Sequence, residues 1–468
     1  MEDDSNYSTL EIQNVNPTKK LKGGWNAALF IIFMEFAERF AFIGLAGNLV
    51  TYLTKELHEP VTEAVKPYRM STLGMVLPPF SISWVPSSLI LILVDSRWGV
   101  PFALMTAVFA VGLLSILLGI KRYRKEIPKG SPFTSVAQVF VATFRKWKVK
   151  DTRNNYWYGN DDHVGSDNLQ SQPKFHASIE TTDEYRFFHK AMIIDELDAS
   201  SKTRNPWRLC SVTQVEEVKL AIRLIPIWIS CLMFTVIQSQ LSTYFTKQGN
   251  TLVRSMGPHF QIPPASLQGV VGIFIIIIIP LYDFYFVPFA RKITGHDSGI
   301  TVLQRIGTGL VLSIINMVIS ALVEAKRVGV ARDHGLLDKP EAVIPMSIWW
   351  MLPQYCVFAV ADSFTIVGLQ ELFYSQMPDT MRSLGAAAYM STVGIGGFVT
   401  NAIITIVVAI SSRTGGTWLG NNLNRAHLDY FYLVLAGLGA LNFCAYLWIA
   451  NDFVYKKVQV VETSNDES

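Results

Sequence analysis

The sequence predicts an all-α integral membrane protein that crosses the bilayer about eight or nine times. Three observations lead there. Half of the 468 residues are hydrophobic and only 16% are charged, against about a quarter charged in a typical soluble domain. The apolar residues fall into blocks, and roughly 20 such residues suffice for a helix to cross the hydrocarbon core. Lys and Arg gather outside the blocks, on the segments that the positive-inside rule keeps in the cytoplasm.

The polar tail 1–24 ends in Lys19, Lys20 and Lys22, which places the amino terminus inside. It has no short apolar core followed by small residues, so no cleaved signal peptide is expected and the first block inserts itself. An amino-terminal membrane part, 25–120, holds the blocks Trp25–Leu53, Met70–Val94 and Trp98–Ile120. Residues 121–217 form a polar cytoplasmic linker, opening with KRYRKEIPKG and continuing through RKWKVKDTRNN. Its middle reads as loop, and Phe187–Leu197 fits a short amphipathic helix on the inner surface. A carboxyl-terminal part, 218–450, holds six blocks: Val218–Tyr244, Ala265–Phe289, Leu303–Val323, Ile344–Leu369, Leu384–Ile410 and Leu428–Ile449. The tail 451–468, with Lys456 and Lys457, again lies inside.

Both termini inside require an even number of crossings, yet the blocks number nine. Met70–Val94 is the weakest, because Pro78, Pro79 and Pro86 remove backbone donors that hydrocarbon cannot replace. Eight full spans with 70–94 re-entrant or tilted is the preferred count. Nine spans with an outward terminus is the alternative.

Ionisable residues inside the blocks mark candidate sites, since a charge at the bilayer centre costs several kcal/mol unless it faces a bundle interior or water. Glu35, Glu38 and Arg39, in MEFAERFAF, stand at i, i+3 and i+4 and share one helix face. One guanidinium cannot neutralise two carboxylates. The trio is therefore either a proton-handling group or a static ion pair that orients the first helix. Asp362, in YCVFAVADSFTIVG, has no basic residue within a turn or two. It is either a gating or substrate-side charge or a buried structural carboxyl. Gln238 and Gln240 sit two apart and cannot share a face fully, so at least one points to a polar cavity or bonds to a neighbouring helix.

Other function classes find no support. A net charge of +3 and the lack of an aromatic-plus-basic motif argue against nucleic acid. The four cysteines, Cys210, Cys231, Cys356 and Cys444, lack metal-ligand spacing and read as small hydrophobic fillers. Gly394, Gly396 and Gly397 follow no strand and precede no P-loop Lys, so close helix packing explains them better than a nucleotide loop. No nucleophile elbow, zinc-protease or kinase signature occurs, and an enzyme is not expected.

EFAERF resembles the E-x-x-E-R proton-coupling motif of proton-dependent oligopeptide transporters, in the plant nitrate/peptide transporter branch. PWRLCSVTQVEEVK, FTKQGNTLVRSMGPHFQIPPASLQ, LQRIGTGL and ELFYSQMPDTMRSLGAAAYMSTVGIGGF extend the resemblance over most of the chain. It implies a major-facilitator bundle of two six-helix halves with a cytoplasmic linker between them. By this resemblance the amino-terminal half is incomplete. After KELHEPVTEAVKPYRMSTLG the chain enters what is similar to family helix 5, and helices 2 to 4 are missing along with any F-G-A-D-Q-F-D-like stretch. That omission accounts for the parity conflict and gives the look of a splice variant or a mis-spliced gene model.

The resemblance implies a proton-coupled symporter of nitrate, short peptides or other small plant metabolites, with no cofactor beyond the coupling H+. Glu35, Glu38 and Arg39 would relay the proton. Asp362 would stand where the family usually has a gating Glu, whose helix-4 Lys partner is in the missing block. Gln238 falls where the best-studied nitrate carrier of the family has a histidine, so an amide replaces a protonatable group. Partners would be the small-molecule substrate, the lipid bilayer, and a homo- or hetero-oligomer with the full-length carrier. The plasma membrane or vacuolar membrane would house it. The competing expectation is a transport-inactive form, either an unstable product or a regulatory partner of the full-length carrier.

Overall fold

The structure is a computed structural model and describes residues 28–34, 37, 99–120, 131–149, 184–195, 198, 205–257, 261–295, 299–378, 381–413 and 418–453. Among them are six helical stretches long and apolar enough to cross a membrane: Val212–Gln238, Pro264–Thr294, Val302–Asp333, Ile348–Gln376, Ala387–Arg413 and Leu428–Asn451. They fall on the six carboxyl-terminal blocks. The chain has the expected all-α membrane architecture. The block Met70–Val94 and most of Trp25–Leu53 lie outside the described residues, and Trp98–Ile120 contributes helix α1, Gly99–Gly119.

Local sequence explains where the spans start, bend and stop. The first begins at Val212, six residues before the apolar block, because Ser211 caps α3 (Val212–Arg223) by accepting from the Gln214 N–H at 3.3 Å. Pro226 in the first turn of α4 (Ile225–Gln238) removes a backbone donor and separates the two helices at Leu224. After residues 239–243 the chain resumes as α5, Tyr244–Asn250. The second span is α6 (Leu267–Leu281) and α7 (Val287–Thr294), joined through a π-helical turn at Tyr282–Phe286 that follows Pro280. The third, α8, runs 32 residues from Val302 to Asp333 and starts at a capping box. Thr301 Oγ1 accepts from the Gln304 N–H at 3.2 Å while Gln304 Oε1 accepts from the Thr301 N–H at 3.0 Å. The remaining spans are built on α9 (Leu352–Gln376), α10 (Arg382–Arg413) and α11 (Leu428–Asn451). Two short strands, β1 (Leu252–Val253) and β2 (Ile344–Ser347), pair in parallel and tie the α5 and α9 ends together.

Helix α8 is the centre of the bundle, packed most extensively against α9 and α11, while α4 lies against α10 and α11 and α6 against α9. Small residues set the tightest crossings. A Cβ at Gly309 of α8 would run into the Thr365 hydroxyl and stand 2.9 Å from the Ala361 carbonyl of α9. At Gly396 of α10 it would run into the Thr235 hydroxyl of α4. Without a hydrophobic drive between helices in lipid, such close backbone approach is a main source of association. Outward faces carry large exposed apolar side chains such as Leu322, Phe289, Leu441 and Trp448, as a lipid-facing surface requires.

The described part of the polar segment 121–217 folds against the base of α3. Helix α2 (Pro132–Arg145) buries Val139, Ala142 and Thr143, and the Gln214 amide of α3 donates to Gln138 Oε1 at 3.0 Å and to the Ser135 carbonyl at 3.4 Å. The amphipathic helix expected over Phe187–Leu197 is instead a 3-10 helix, Arg186–Ala191, with Phe188, His189 and Ala191 buried. Its apolar side chains face α2, where the Phe188 and Phe140 rings meet edge-on at 5.1 Å. Polar clasps hold this unit. Lys146 donates to the Ile193 carbonyl at 2.6 Å and to Asp198, which also accepts from Arg208 Nε at 2.9 Å. The fully buried Lys219 lies 2.7 Å from Glu216 Oε1 and 2.6 Å from His189 Nε2.

Candidate functional site

The first carboxyl-terminal span is interrupted at QSQLST. Beyond Gln238 the backbone loosens into turns, and the Phe245 N–H reaches back five residues to the Gln240 carbonyl at 3.0 Å. Ser, Thr and Gln side chains compete with the helical ladder, which is why this run of polar residues breaks it. The same side chains then bond the freed carbonyls. Ser239 Oγ donates to the Val236 carbonyl at 2.7 Å, Gln240 Nε2 to the same carbonyl at 2.9 Å, and Thr243 Oγ1 to the Ser239 carbonyl at 2.8 Å. Irregular backbone is tolerated at membrane depth only with such replacement.

Two neighbouring helices meet this break. Gln238 Nε2 donates to Asp362 Oδ1 of α9 at 3.2 Å. The hydroxyls of Ser239 and Thr400 of α10 bond at 3.3 Å, and one turn earlier Thr235 Oγ1 donates to the Thr392 carbonyl at 3.2 Å. The sequence-predicted residues Gln238 and Asp362 are thus brought together. Gln240 is not part of that contact. Its side chain folds back on its own helix, fully buried, and its Oε1 has no hydrogen-bond partner among the described residues. Gln238 supplies the described hydrogen bond to the Asp362 carboxylate, and among the described residues no Lys or Arg forms an ion pair with it. Glu35, Glu38 and Arg39 lie outside the described residues.

A second polar cluster, fully buried, has no counterpart among the residues the sequence singles out. Near the carboxyl end of α8, Arg327 is 0% exposed. Its Nε and Nη2 donate to the Glu324 carboxylate at 2.8 and 2.6 Å, Nη1 to Asn424 Oδ1 at 2.9 Å and Thr251 Oγ1 at 3.1 Å, and Nη2 to the Leu423 carbonyl at 2.7 Å. A guanidinium has five N–H donors, and these contacts use them all. Asn424 in turn donates to the Lys339 carbonyl at 3.0 Å, so the cluster fastens three connecting segments over one end of the bundle. The signal was present as Glu324 and Arg327 at i, i+3 in a mostly apolar helix. They fell just beyond the block that ended at Val323.

Other features are less suggestive of chemistry. The described residues contain no cluster of His, Cys, Asp and Glu able to hold a metal ion, and the four cysteines form no disulfide among them. A groove of 670 Å³ between residues 28–34 and α1 is lined by side chains such as Phe30, Phe33, Leu114 and Leu118.

Six apolar helices, with a span interrupted at residues 239–243, make a helical membrane bundle. A crystal structure of an auto-inhibited POT family peptide transporter shares the fold, with a TM-score of 0.60 over 94% of this chain and 99% of that one, at 15% identity. The family model described as "PTR2: POT family" matches residues 68–419. Protein NRT1/PTR FAMILY 5.4 of Arabidopsis thaliana is 44% identical, covering 94% of this chain and 97% of its own. NRT1/PTR FAMILY 5.10 of the same plant is 32% identical, covering 96% of each. The chain belongs to the POT family. The alignment with family member 5.4 runs over 539 positions, against 468 residues in this chain, so at least 71 positions, 539 less 468, have no counterpart here.

Proposed function

We propose that the chain is built as a proton-coupled symporter of small plant metabolites, working by alternating access around the Gln238–Asp362 contact. The observation that carries this reading is that contact itself. A carboxylate on α9 and an amide on α4 hydrogen-bond beside a break in the span, at 3.2 Å. Membrane carriers place substrate sites at such discontinuities near the midplane, where one half rocks against the other. The amide oxygen of Gln238 can accept a substrate N–H while its Nε2 holds Asp362. With a carboxylate and no paired Lys or Arg among the described residues, the site favours an amine-bearing metabolite or short peptide over nitrate. Glu35, Glu38 and Arg39 would take up and pass on the coupling proton. The segment 121–217 would face the cytoplasm, in the plasma membrane or vacuolar membrane.

The alignment gap favours a second reading. If the unmatched positions are family helices 2 to 4, the wall opposite the carboxyl-terminal bundle is incomplete. Transport by this chain is then slow or absent, and the product is unstable or acts as a membrane partner of the full-length carrier. Uptake of a labelled dipeptide and of labelled nitrate separates the readings. Cells expressing this chain would be compared at about pH 5.5 and about pH 7.5, a window in which tuned carboxyl groups titrate. Acid-stimulated dipeptide uptake, abolished by Glu38→Gln at equal surface abundance, is the expected result. No uptake at normal surface abundance would favour the inactive form.

A further inference from the structure

We infer that α2 carries a docking surface for the anionic phospholipids of the adjoining membrane leaflet, so that the polar segment between the two membrane parts lies on the bilayer. The surface is an aromatic stripe. Phe133, Phe140 and Phe144 recur at intervals of seven and four residues on one face of α2, and Trp147 follows in the turn just beyond the helix end. Three of the four stand largely clear of the protein, with Phe133 68% exposed, Phe144 67% and Trp147 61%, while Phe140 packs edge-on against Phe188 and remains 36% exposed. The Phe144 and Trp147 rings stack at 6.1 Å, and Phe187 extends the patch from the neighbouring 3-10 helix. The opposite face of α2 is buried through Val139 and Ala142. An amphipathic helix of this kind, with aromatic residues on one side and cations beside them, is suited to the headgroup–acyl boundary.

Charge selects the occupant. Residues 121–150 contain nine Lys and Arg and a single acidic residue, Glu126. Arg145, Lys148 and Arg186 are exposed beside the stripe, and the Lys190 ammonium sits 5.3 Å from the Trp147 ring centroid. Such a cluster matches a leaflet rich in anionic headgroups, where each cation near the surface contributes about 1 kcal/mol. Position agrees. The Gln214 bonds hold α2 against α3, the opening of the span Val212–Gln238, at a membrane-entry level. Twelve residues separate the end of α1 at Gly119 from the start of α2 at Pro132, too few to carry α2 far from the bilayer.

The test is hydrogen–deuterium exchange of residues 131–149 in the full chain, reconstituted into nanodiscs of phosphatidylcholine with and without phosphatidylserine. Exchange should slow roughly tenfold when about a third of the lipid is phosphatidylserine, and high salt should reverse the effect. The slowing should be lost in Phe133→Ser/Phe144→Ser/Trp147→Ser and in Arg145→Gln/Lys148→Gln. Unchanged exchange over 302–333 would show that each variant is folded. Equal exchange in both lipid compositions overturns the inference. So does protection found only in discs holding two copies, which would assign the stripe to a second chain.

Discussion

Two polar contacts in the bundle, one fully buried and one partly buried, differ in how fully they are satisfied. At the end of α8, Arg327 spends every N–H on Glu324, Asn424, Thr251 and the Leu423 carbonyl. At the break in the first carboxyl-terminal span, Asp362 is met by one amide at 3.2 Å. A saturated buried charge is costly to disturb, because whichever group is removed leaves an orphan in low dielectric. A carboxylate with one neutral partner can exchange that partner for a substrate group at little cost. Burial alone therefore does not identify a working residue in a membrane bundle; unspent hydrogen-bonding capacity does.

The largest effect is expected at the saturated contact. Arg327→Gln strands the Glu324 carboxylate and should destabilise the folded chain by about 3–5 kcal/mol, seen as a large fall in Tm of the purified protein. A paired replacement, Glu324→Leu with Arg327→Met, should recover much of that loss; if it does not, the clasp over the three connecting segments matters more than the charge. Next in size is the α4–α10 crossing. Gly396→Ala forces a Cβ into the Thr235 hydroxyl and should cost about 1–3 kcal/mol. Gly437→Ala on α11, where a Cβ meets nothing within 4 Å, should leave Tm unchanged or raised.

Asp362→Asn is expected to change stability by only about 1 kcal/mol, since one hydrogen bond to a neutral amide is altered, while removing transport. A loss of folded protein comparable to that in Arg327→Gln would erase the distinction between the two contacts. The smallest effect belongs to the half-exposed Asp195. Burial pushes its carboxyl up, but the Asp198 N–H at 3.0 Å and the Arg208 guanidinium outweigh this and hold it below the usual carboxylate range. Its stabilisation is complete above the ordinary Asp value of about 3.9 and is lost as the pH falls through the lowered one. Between about pH 5 and pH 3 the wild type should therefore lose slightly more Tm than Asp195→Asn.

The sequence revealed the six spans because hydropathy averaged over a membrane's thickness is insensitive to detail. That same averaging hid what lies at the edges of the blocks. The charged pair Glu216–Glu217 puts the opening turn of α3, residues 212–217, on the linker side of the boundary, and Glu324–Arg327 lie outside their block because a block ends where charges begin. The break at Ser239–Thr243 was legible in principle from QSQLST, but a hydropathy block does not register a local competition for carbonyls. Helix α2 is masked by the basic charge around it, although Phe133, Val136, Phe140 and Phe144 carry the helical period. For the candidate site, the residue types of Gln238 and Asp362 stood out in apolar surroundings. Their pairing could not be read from spacing, because it joins residues 124 apart in the chain.

The most direct test is dipeptide uptake at acid and neutral pH by cells expressing the chain with and without Asp362→Asn, normalised to surface abundance. Acid-stimulated uptake in the parent chain, lost in Asp362→Asn while Tm and surface abundance hold, is the predicted result. Uptake and pH dependence unaltered by the substitution would contradict the assignment of the working contact to Asp362 and Gln238.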